Sequence, residues 1–231
     1  MKNLLFQQLF ESESSTFTYL LADATTREAV IIDPVLETVS RDLKLIGELD
    51  LKLLFVLETH VHADHITSAR QIADATGARI ALSAEAPIEE PHRALRDGDV
   101  IEFGEFRLKA LATPGHTNSC MCFLLPDRVF TGDTLLIRAN GRTDFQEGSA
   151  QKLYESVHRQ LFTLPDDTLV YPAHDYKGFT SSSIGMEKKF NARLNERRSL
   201  EDFVEIMKNL NLPRPKKIDL AVPANLKLGR L

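Results

Sequence analysis

Short apolar runs of strand length occur in two groups along the sequence, and segments with helical periodicity follow each group. Two sheets with helices outside them account for this order, so the sequence predicts an αββα sandwich, built as a single domain over residues 1–231. A doubly wound parallel sheet fits less well, because several connections are too short for crossover helices. The predicted strands are Leu4–Phe10, Phe17–Leu21, Ala29–Ile32, Leu53–Leu57, Arg79–Leu82, Val100–Phe103, Phe106–Leu111, Met121–Leu125, Val129–Phe130 and Leu169–Tyr171.

Apolar residues at helical spacing predict four helical segments between and after these strands. One of them runs from Asp64 to about Thr76 and ends at Gly77, because a glycine commonly follows the last turn of a helix. The others are Leu36–Leu49, Ala150–Phe162 and a region that contains Leu200, Phe203, Val204 and Met207.

The composition indicates a protein with an apolar core and no strong charge bias. The chain is 43% hydrophobic and has a net charge of −5, so a nucleic-acid partner is not expected. No apolar run reaches the roughly 18 residues that a membrane-spanning helix needs. Because no secretion or transit signal is apparent at the N-terminus and two cysteines cannot build a disulfide framework, we expect a cytoplasmic protein without a membrane partner. Cys120 and Cys122 alternate along a predicted strand and are expected to be buried, inert thiols.

Three histidines and one aspartate follow the strand Leu53–Leu57 within six residues: His60, His62, Asp64 and His65. A spacing of two places His60 and His62 on the same side of an extended segment. We expect Asp64 and His65 to open the next helix and to point back toward the same place. Such a set of nitrogen and oxygen donors suits a transition metal, and burying it without a metal would be unfavourable.

Single metal-ligating residues follow three later predicted strands. His116 follows Phe106–Leu111, Asp133 follows Val129–Phe130, and His174 follows Leu169–Tyr171. Each residue alone is compatible with an ordinary loop or turn position. The repeated placement of a donor after a strand predicts that these side chains converge at one edge of the sheets.

The motifs THVHADH, PGH, TGD and PAH, in this order, resemble those of the metallo-β-lactamase superfamily. That superfamily has the αββα fold, and its seven metal-ligand positions are filled here by His60, His62, Asp64, His65, His116, Asp133 and His174. Three further segments, 136–146, 171–180 and 209–225, narrow the resemblance to the persulfide (sulfur) dioxygenases. This is the family of the human mitochondrial protein that is lost in ethylmalonic encephalopathy.

The resemblance implies an enzyme that converts glutathione persulfide, O2 and water to sulfite and glutathione at one non-haem Fe(II) per chain. The iron ligands that it implies are His60, His116 and Asp133, a facial triad that leaves open positions on the iron. The remaining four ligand positions would orient ligands or waters without binding iron: His62, Asp64, His65 and His174. Family members are often dimers, so a homodimer is also expected.

Three residues are candidates for binding the glutathione part of the substrate. The planar fork of Arg142 suits a carboxylate, and a structural ion pair with Asp144 is the alternative. Tyr176 could donate a hydrogen bond to substrate or to a bound oxygen species, and a core tyrosine is the alternative. Arg214 lies in a basic, proline-stiffened tail that could cover the site, although a solvated run of charges is the favoured interpretation.

Two other functions share part of this pattern. A glutathione thioester hydrolase of the glyoxalase II kind would use all seven ligand positions around a dinuclear metal site. Such enzymes usually carry a larger helical C-terminal domain than the segment that follows His174. A protein that binds persulfides without turnover is the other alternative, and the filled ligand positions argue against it.

Overall fold

Two six-stranded mixed sheets form the framework of the chain. The structure is a computed structural model, and it describes residues 3–90 and 92–230. In the first sheet the spatial order of the strands follows the sequence: β1 (Leu4–Glu11), β2 (Thr16–Asp23), β3 (Glu28–Ile32), β4 (Lys52–Leu57), β5 (Arg79–Ser83) and β6 (Arg93–Leu95). The second sheet has the order β12-β11-β10-β9-β8-β7, and its strands are β7 (Val100–Phe103), β8 (Phe106–Ala112), β9 (Met121–Leu125), β10 (Arg128–Gly132), β11 (Leu169–Pro172) and β12 (Ser182–Ser183).

The direction of each strand pair follows from the length of its connection. Short turns join β1, β2 and β3, and these strands pair antiparallel. The pairs from β3 to β6 are parallel. Helices cross over between β3 and β4 and between β4 and β5, because a parallel pair needs a long connection. In the second sheet β10 and β11 are the parallel pair, and a helical segment connects them.

Six α-helices accompany the sheets in the described residues: α1 (Val39–Glu48), α2 (Ala69–Thr76), α3 (Ala150–Ser156), α4 (Ile184–Phe190), α5 (Leu200–Lys208) and α6 (Ile218–Asn225). A 3₁₀ turn, Leu36–Thr38, precedes α1. Gly77 ends α2 in the left-handed conformation, with φ of 75°, as the sequence predicts. None of the helices in the described part of the chain has the length and apolar character needed to cross a membrane.

The chain divides into two compact units. Unit 1 comprises Met1–Leu95, Val100–Leu108 and Arg214–Leu231, and unit 2 comprises Arg96–Asp99 and Lys109–Pro213. Each unit has its own buried apolar cluster: the first includes residues from β2 to β5 and α2, and the second includes residues from α3, α5 and the strands β8 to β11. The single domain inferred from the sequence stays a prediction.

The expectation that Asp64 and His65 open a helix is wrong. Residues 58–68 form neither helix nor strand, apart from one isolated bridge between Val35 and Thr67, and α2 begins only at Ala69. The carbonyls of His62 and His65 accept hydrogen bonds from the Asn225 side chain instead. These two carbonyls bond to a side chain that is distant in the sequence, and this bonding replaces the backbone hydrogen bonds of a first helical turn.

Other elements differ from the sequence prediction in kind or were missed. The predicted helix Ala150–Phe162 changes after Ser156 to a π-helical turn over Val157–Leu161. There the amide of Phe162 donates to the carbonyl of Val157, five residues back, at 2.8 Å. Four elements were not predicted from the sequence: β6, β12, α4 and α6. Helix α6 was missed because it contains Pro223, and a proline is unusual inside a helix.

Candidate metal centre

Unit 1 brings the three histidines of the first motif together. The ring centroids of His60 and His62 are 4.0 Å apart, and those of His62 and His65 are 4.3 Å apart. All three side chains are buried. Asp64 Oδ2 lies 2.9 Å from His65 Nδ1, and ligand atoms of His62, Asp64 and His65 lie within 4.8 Å of one another. The motif therefore forms a compact donor cluster, as the sequence predicts.

A hydrogen-bonded chain fixes the tautomer of His60. The Thr59 hydroxyl donates to Asp33 Oδ2 at 2.8 Å. The oxygen atom of this hydroxyl, Thr59 Oγ1, also lies 2.9 Å from His60 Nδ1. A hydroxyl has one proton to donate, so Thr59 accepts from the Nδ1–H of His60. The lone pair of a neutral His60 is then on Nε2, the nitrogen through which this residue would bind a metal.

Two buried carboxylates face His62. Its Nε2 lies 3.2 Å from Asp33 Oδ1 and 3.3 Å from Glu58 Oε2. Burial by itself lowers the pKa of His62, but the charges of Asp33 and Glu58 outweigh burial and raise it. Burial raises the pKa of Glu58 to about 7, against the opposing effect of His62. The two carboxylates therefore hold the imidazole of His62 in place and favour its protonated form.

In unit 2, His116 is oriented by a backbone carbonyl. Its Nδ1 lies 2.7 Å from the carbonyl oxygen of Arg142, which can only accept a hydrogen bond. Nδ1 therefore carries the proton, and the lone pair of the neutral ring is on Nε2. That Nε2 atom lies 3.6 Å from Asp133 Oδ2.

Asp133 is the centre of the unit 2 cluster. Its Oδ1 is 3.6 Å from His174 Nε2, so His116, Asp133 and His174 converge as the strand-end pattern predicts. Gly141 N–H donates to the carbonyl of Asp133 at 2.8 Å, which fixes the backbone that carries this aspartate. The loop after β10 thereby holds both Asp133, through Gly141, and His116, through Arg142.

The donor atoms of unit 2 fit a metal cation. Asp133 Oδ1 is buried and, among the residues that the structure describes, has no hydrogen-bond partner. Its other oxygen lies 3.6 Å from His116 Nε2. A carboxylate oxygen and an imidazole lone pair that face each other in a partly buried site are stabilised by a cation placed between them.

The candidate substrate-binding residues have different surroundings. Arg142 Nε donates to Asp144 Oδ1 at 2.6 Å and its Nη1 donates to the carbonyl of Pro213 at 2.6 Å, so the alternative ion pair is present. This pairing raises the pKa of Arg142. The core-tyrosine alternative is wrong for Tyr176, because its side chain is 70% exposed and its ring stacks on His174 with centroids 6.0 Å apart.

Arg214 and the two cysteines complete the residues singled out from the sequence. Arg214 is in unit 1, is exposed and forms an ion pair with Asp219 of α6. Cys120 and Cys122 are buried and form no disulfide, as predicted, and burial raises the pKa of Cys120 to about 12.

Sequence reasoning missed three polar residues that hold the first motif. Asp33 and Glu58 flank His62, and Asn225 bonds the backbone of the motif loop. For Asp33 a signal exists, because this residue directly follows the buried strand β3, as the other donors follow theirs.

Comparisons with known proteins agree with the motifs. Residues 12–174 match the family described as the metallo-beta-lactamase superfamily. The mitochondrial persulfide dioxygenase ETHE1 of Homo sapiens is 52% identical over 228 residues, which are 98% of this chain and 89% of that protein. The chain belongs to the ETHE1 family of the metallo-beta-lactamase superfamily. The recognition of this family from the sequence motifs is confirmed.

Another relative and two solved structures also match nearly the whole of this chain. The mitochondrial persulfide dioxygenase ETHE1 of Bos taurus is 49% identical, again over 98% of this chain. The crystal structure of ETHE1 from Myxococcus xanthus has a TM-score of 0.95 and 55% identity, and the match covers 98% of this chain and 100% of that one. A metallo-beta-lactamase from Staphylococcus aureus has a TM-score of 0.89 at 26% identity, covering 99% of this chain and 73% of that one. The predicted fold class is confirmed.

Proposed function

We propose that this ETHE1 family member is a persulfide dioxygenase that converts glutathione persulfide, O2 and water to glutathione and sulfite. The observation that carries the proposal is the 52% identity to a persulfide dioxygenase along nearly the whole chain. In this reaction the S–S bond of the persulfide breaks. The terminal sulfur leaves as sulfite, with two oxygen atoms from O2 and one from water, and the inner sulfur leaves as the thiol of glutathione.

We propose that the cofactor is one Fe(II) per chain, held by His60, His116 and Asp133. The hydrogen bonds that place the lone pairs of both neutral histidines on Nε2, and the buried Oδ1 of Asp133, support this assignment. Fe(II) supplies the redox chemistry that O2, a spin triplet, requires and that zinc lacks.

The residues around these ligands have positioning roles in the proposal. Asp33, through Thr59, keeps the Nδ1 proton of His60 in place, and the Arg142 carbonyl does the same for His116. His62 is engaged with two carboxylates and is left out of the iron ligands. We propose that His62, Asp64, His65 and His174 orient ligands or water.

The thioester hydrolase alternative has weaker support. Its dinuclear site would use His62, Asp64 and His65 as metal ligands, whereas the relatives at 49–52% identity, which match 98% of this chain, are named persulfide dioxygenases. Metal stoichiometry separates the two functions. We expect about one iron per chain after growth without added zinc.

Oxygen uptake tests the reaction itself. We expect uptake and sulfite release with glutathione persulfide, and neither with glutathione, because the thiol lacks the sulfur that leaves as sulfite. The control is the same preparation after removal of iron with a chelator. Two zinc ions per chain, thioesterase activity and no oxygen uptake would contradict the proposal.

Arg142 is proposed to bind a carboxylate of glutathione while it pairs with Asp144. Such a contact is made equally in the ground and transition states, so Arg142→Ala should mainly raise KM. A hydrogen bond to a charged group contributes about 1.5–3 kcal/mol, so the expected loss in kcat/KM is roughly tenfold to hundredfold. Arg142→Lys should restore part of it. An unchanged KM together with a lowered melting temperature would assign Arg142 to a structural ion pair alone.

Location and assembly are proposed separately. We propose a cytoplasmic location and a homodimer, although the human and Bos taurus relatives carry "mitochondrial" in their names. Cell fractionation and light scattering of the purified chain test the two points.

A further inference from the structure

The side-chain oxygen and nitrogen of Asn225 both form hydrogen bonds with the loop that carries the first motif. Its Oδ1 accepts from the amide of Thr67 at 2.9 Å. Its Nδ2 donates to the carbonyls of His62 and His65, each at 2.8 Å. The residue is 4% exposed and lies at the end of α6, 158 positions along the chain from Thr67.

A carboxamide is suited to this position because it presents two N–H donors and an acceptor from one planar group. The loop offers two carbonyls and one amide, which are matched one to one. Residues 58–68 form no helix or strand, so these backbone groups need partners of another kind. Asn225 supplies these partners and thereby fixes the path of the backbone between His62 and Thr67.

Packing holds Asn225 against the loop. Ile66 forms a small buried cluster with Ala221 and Ala224 of α6. After the helix, Gly229 lies so close that a Cβ atom there would be 2.1 Å from the Thr67 carbonyl oxygen. The chain from α6 to Gly229 therefore lies in direct contact with the motif loop.

We propose that Asn225 is a positioning residue of the metal centre, which holds the His62–Thr67 backbone so that the metal-binding motif is set before the ion arrives. The inference rests on the proposed metal site. His60 lies two residues before His62, whose carbonyl is one of the three bonded groups. Loss of the amide would leave the ligands in place but less well oriented, and it would lower metal affinity more than it lowers stability.

The experiment compares Asn225→Asp with Ile46→Ala in the full chain. Asn225→Asp keeps the shape of the side chain but turns an acceptor toward the two carbonyls. Ile46→Ala removes a buried side chain of α1 and leaves α6 and the Asn225 amide unchanged, so it lowers stability without touching this contact. Both variants are assayed for Fe(II) affinity by competition with a ferrous chelator, for the visible spectrum of the Co(II)-substituted protein, and for the melting temperature of the metal-free chain.

The expected result is a roughly tenfold to hundredfold lower Fe(II) affinity and an altered Co(II) spectrum for Asn225→Asp. Ile46→Ala should lower the melting temperature and leave the affinity and the spectrum as in the wild type. If Asn225→Asp cannot be obtained folded, Asn225→Ala removes the bonds without the repulsion and is expected to show the same pattern.

Two results would overturn the inference. One is wild-type affinity and spectrum in the Asn225 variants, and the other is an equal loss of affinity in Ile46→Ala at an equal change in melting temperature. A wild-type chain that binds neither Fe(II) nor Co(II) would instead remove the proposed function, and the inference with it.

Discussion

Asp133→Ala is expected to abolish iron binding and, with it, persulfide dioxygenase activity. The substitution removes the anionic donor of the unit 2 cluster, in which both carboxylate oxygens lie 3.6 Å from an imidazole nitrogen. The loss should exceed the roughly 10–100-fold effect typical of groups that only orient ligands. Iron content and oxygen uptake are measured on the same preparation. The melting temperature of the metal-free chain is not expected to fall, because the buried Oδ1 has no hydrogen-bond partner to lose.

Three further variants distinguish residues that bind iron from residues that only orient the ligands. His116→Ala should match Asp133→Ala. Thr59→Val, which removes only the hydroxyl between Asp33 and His60, should lower affinity by roughly 10–100-fold. His62→Ala should retain more iron than His116→Ala, since His62 is engaged with Asp33 and Glu58. If His62→Ala loses iron as completely as His116→Ala, the assignment of the three iron ligands is wrong.

The sequence predicts strands well where apolar runs are bounded by turns. The predicted run Val100–Phe103 coincides with β7, and Met121–Leu125 coincides with β9. β6 was missed because its three residues, Arg93–Leu95, follow a polar segment and contain no β-branched side chain. Sequence patterns for strands depend on local residue types and turns. A short strand that forms only because it pairs with a neighbouring strand is therefore hard to predict from the sequence.

The start of α2 shows where local reasoning fails. The acidic and polar residues from Asp64 onward are typical of a first helical turn, yet the helix begins at Ala69. The side chain that prevents the earlier start, Asn225, comes from the other end of the chain. Periodicity carries no information about such a contact.

The metal-ligand positions could be predicted because they are concentrated in short motifs after strands. The residues that orient them are less visible, because Asp33 and Glu58 are ordinary acidic residues in the sequence and acquire their role through burial beside His62. The carbonyl of Arg142 orients His116, although the sequence draws attention to the guanidinium of that residue. A backbone atom is available at every position, so sequence alone does not single it out.

Gly141→Ala should lower activity by about a hundredfold or more, although the variant adds only one methyl group. A Cβ atom at this position would lie 2.4 Å from the Asp133 carbonyl oxygen and 2.8 Å from His116 Nδ1. Both distances are shorter than a van der Waals contact, so the loop after β10 has to move to accommodate the methyl group. A misplacement of about 1 Å in reacting groups can reduce the rate by about 10²-fold. Oxygen uptake and iron content of Gly141→Ala, measured beside the wild type, test this expectation.

Gly47→Ala is the matched control for that methyl group. Gly47 is in α1, and within the described residues no atom beyond its chain neighbours and its own helical backbone lies within 4 Å of the Cβ position there. Alanine in a helix is favoured over glycine by roughly 1 kcal/mol, so Gly47→Ala should raise the melting temperature and leave activity unchanged. Gly141→Ala should instead lower stability by about 1–3 kcal/mol, the usual effect of overpacking, in addition to the loss of activity. Wild-type iron content and activity in Gly141→Ala would mean that the loop yields without moving Asp133 or His116, and their geometry would then not depend on this close contact.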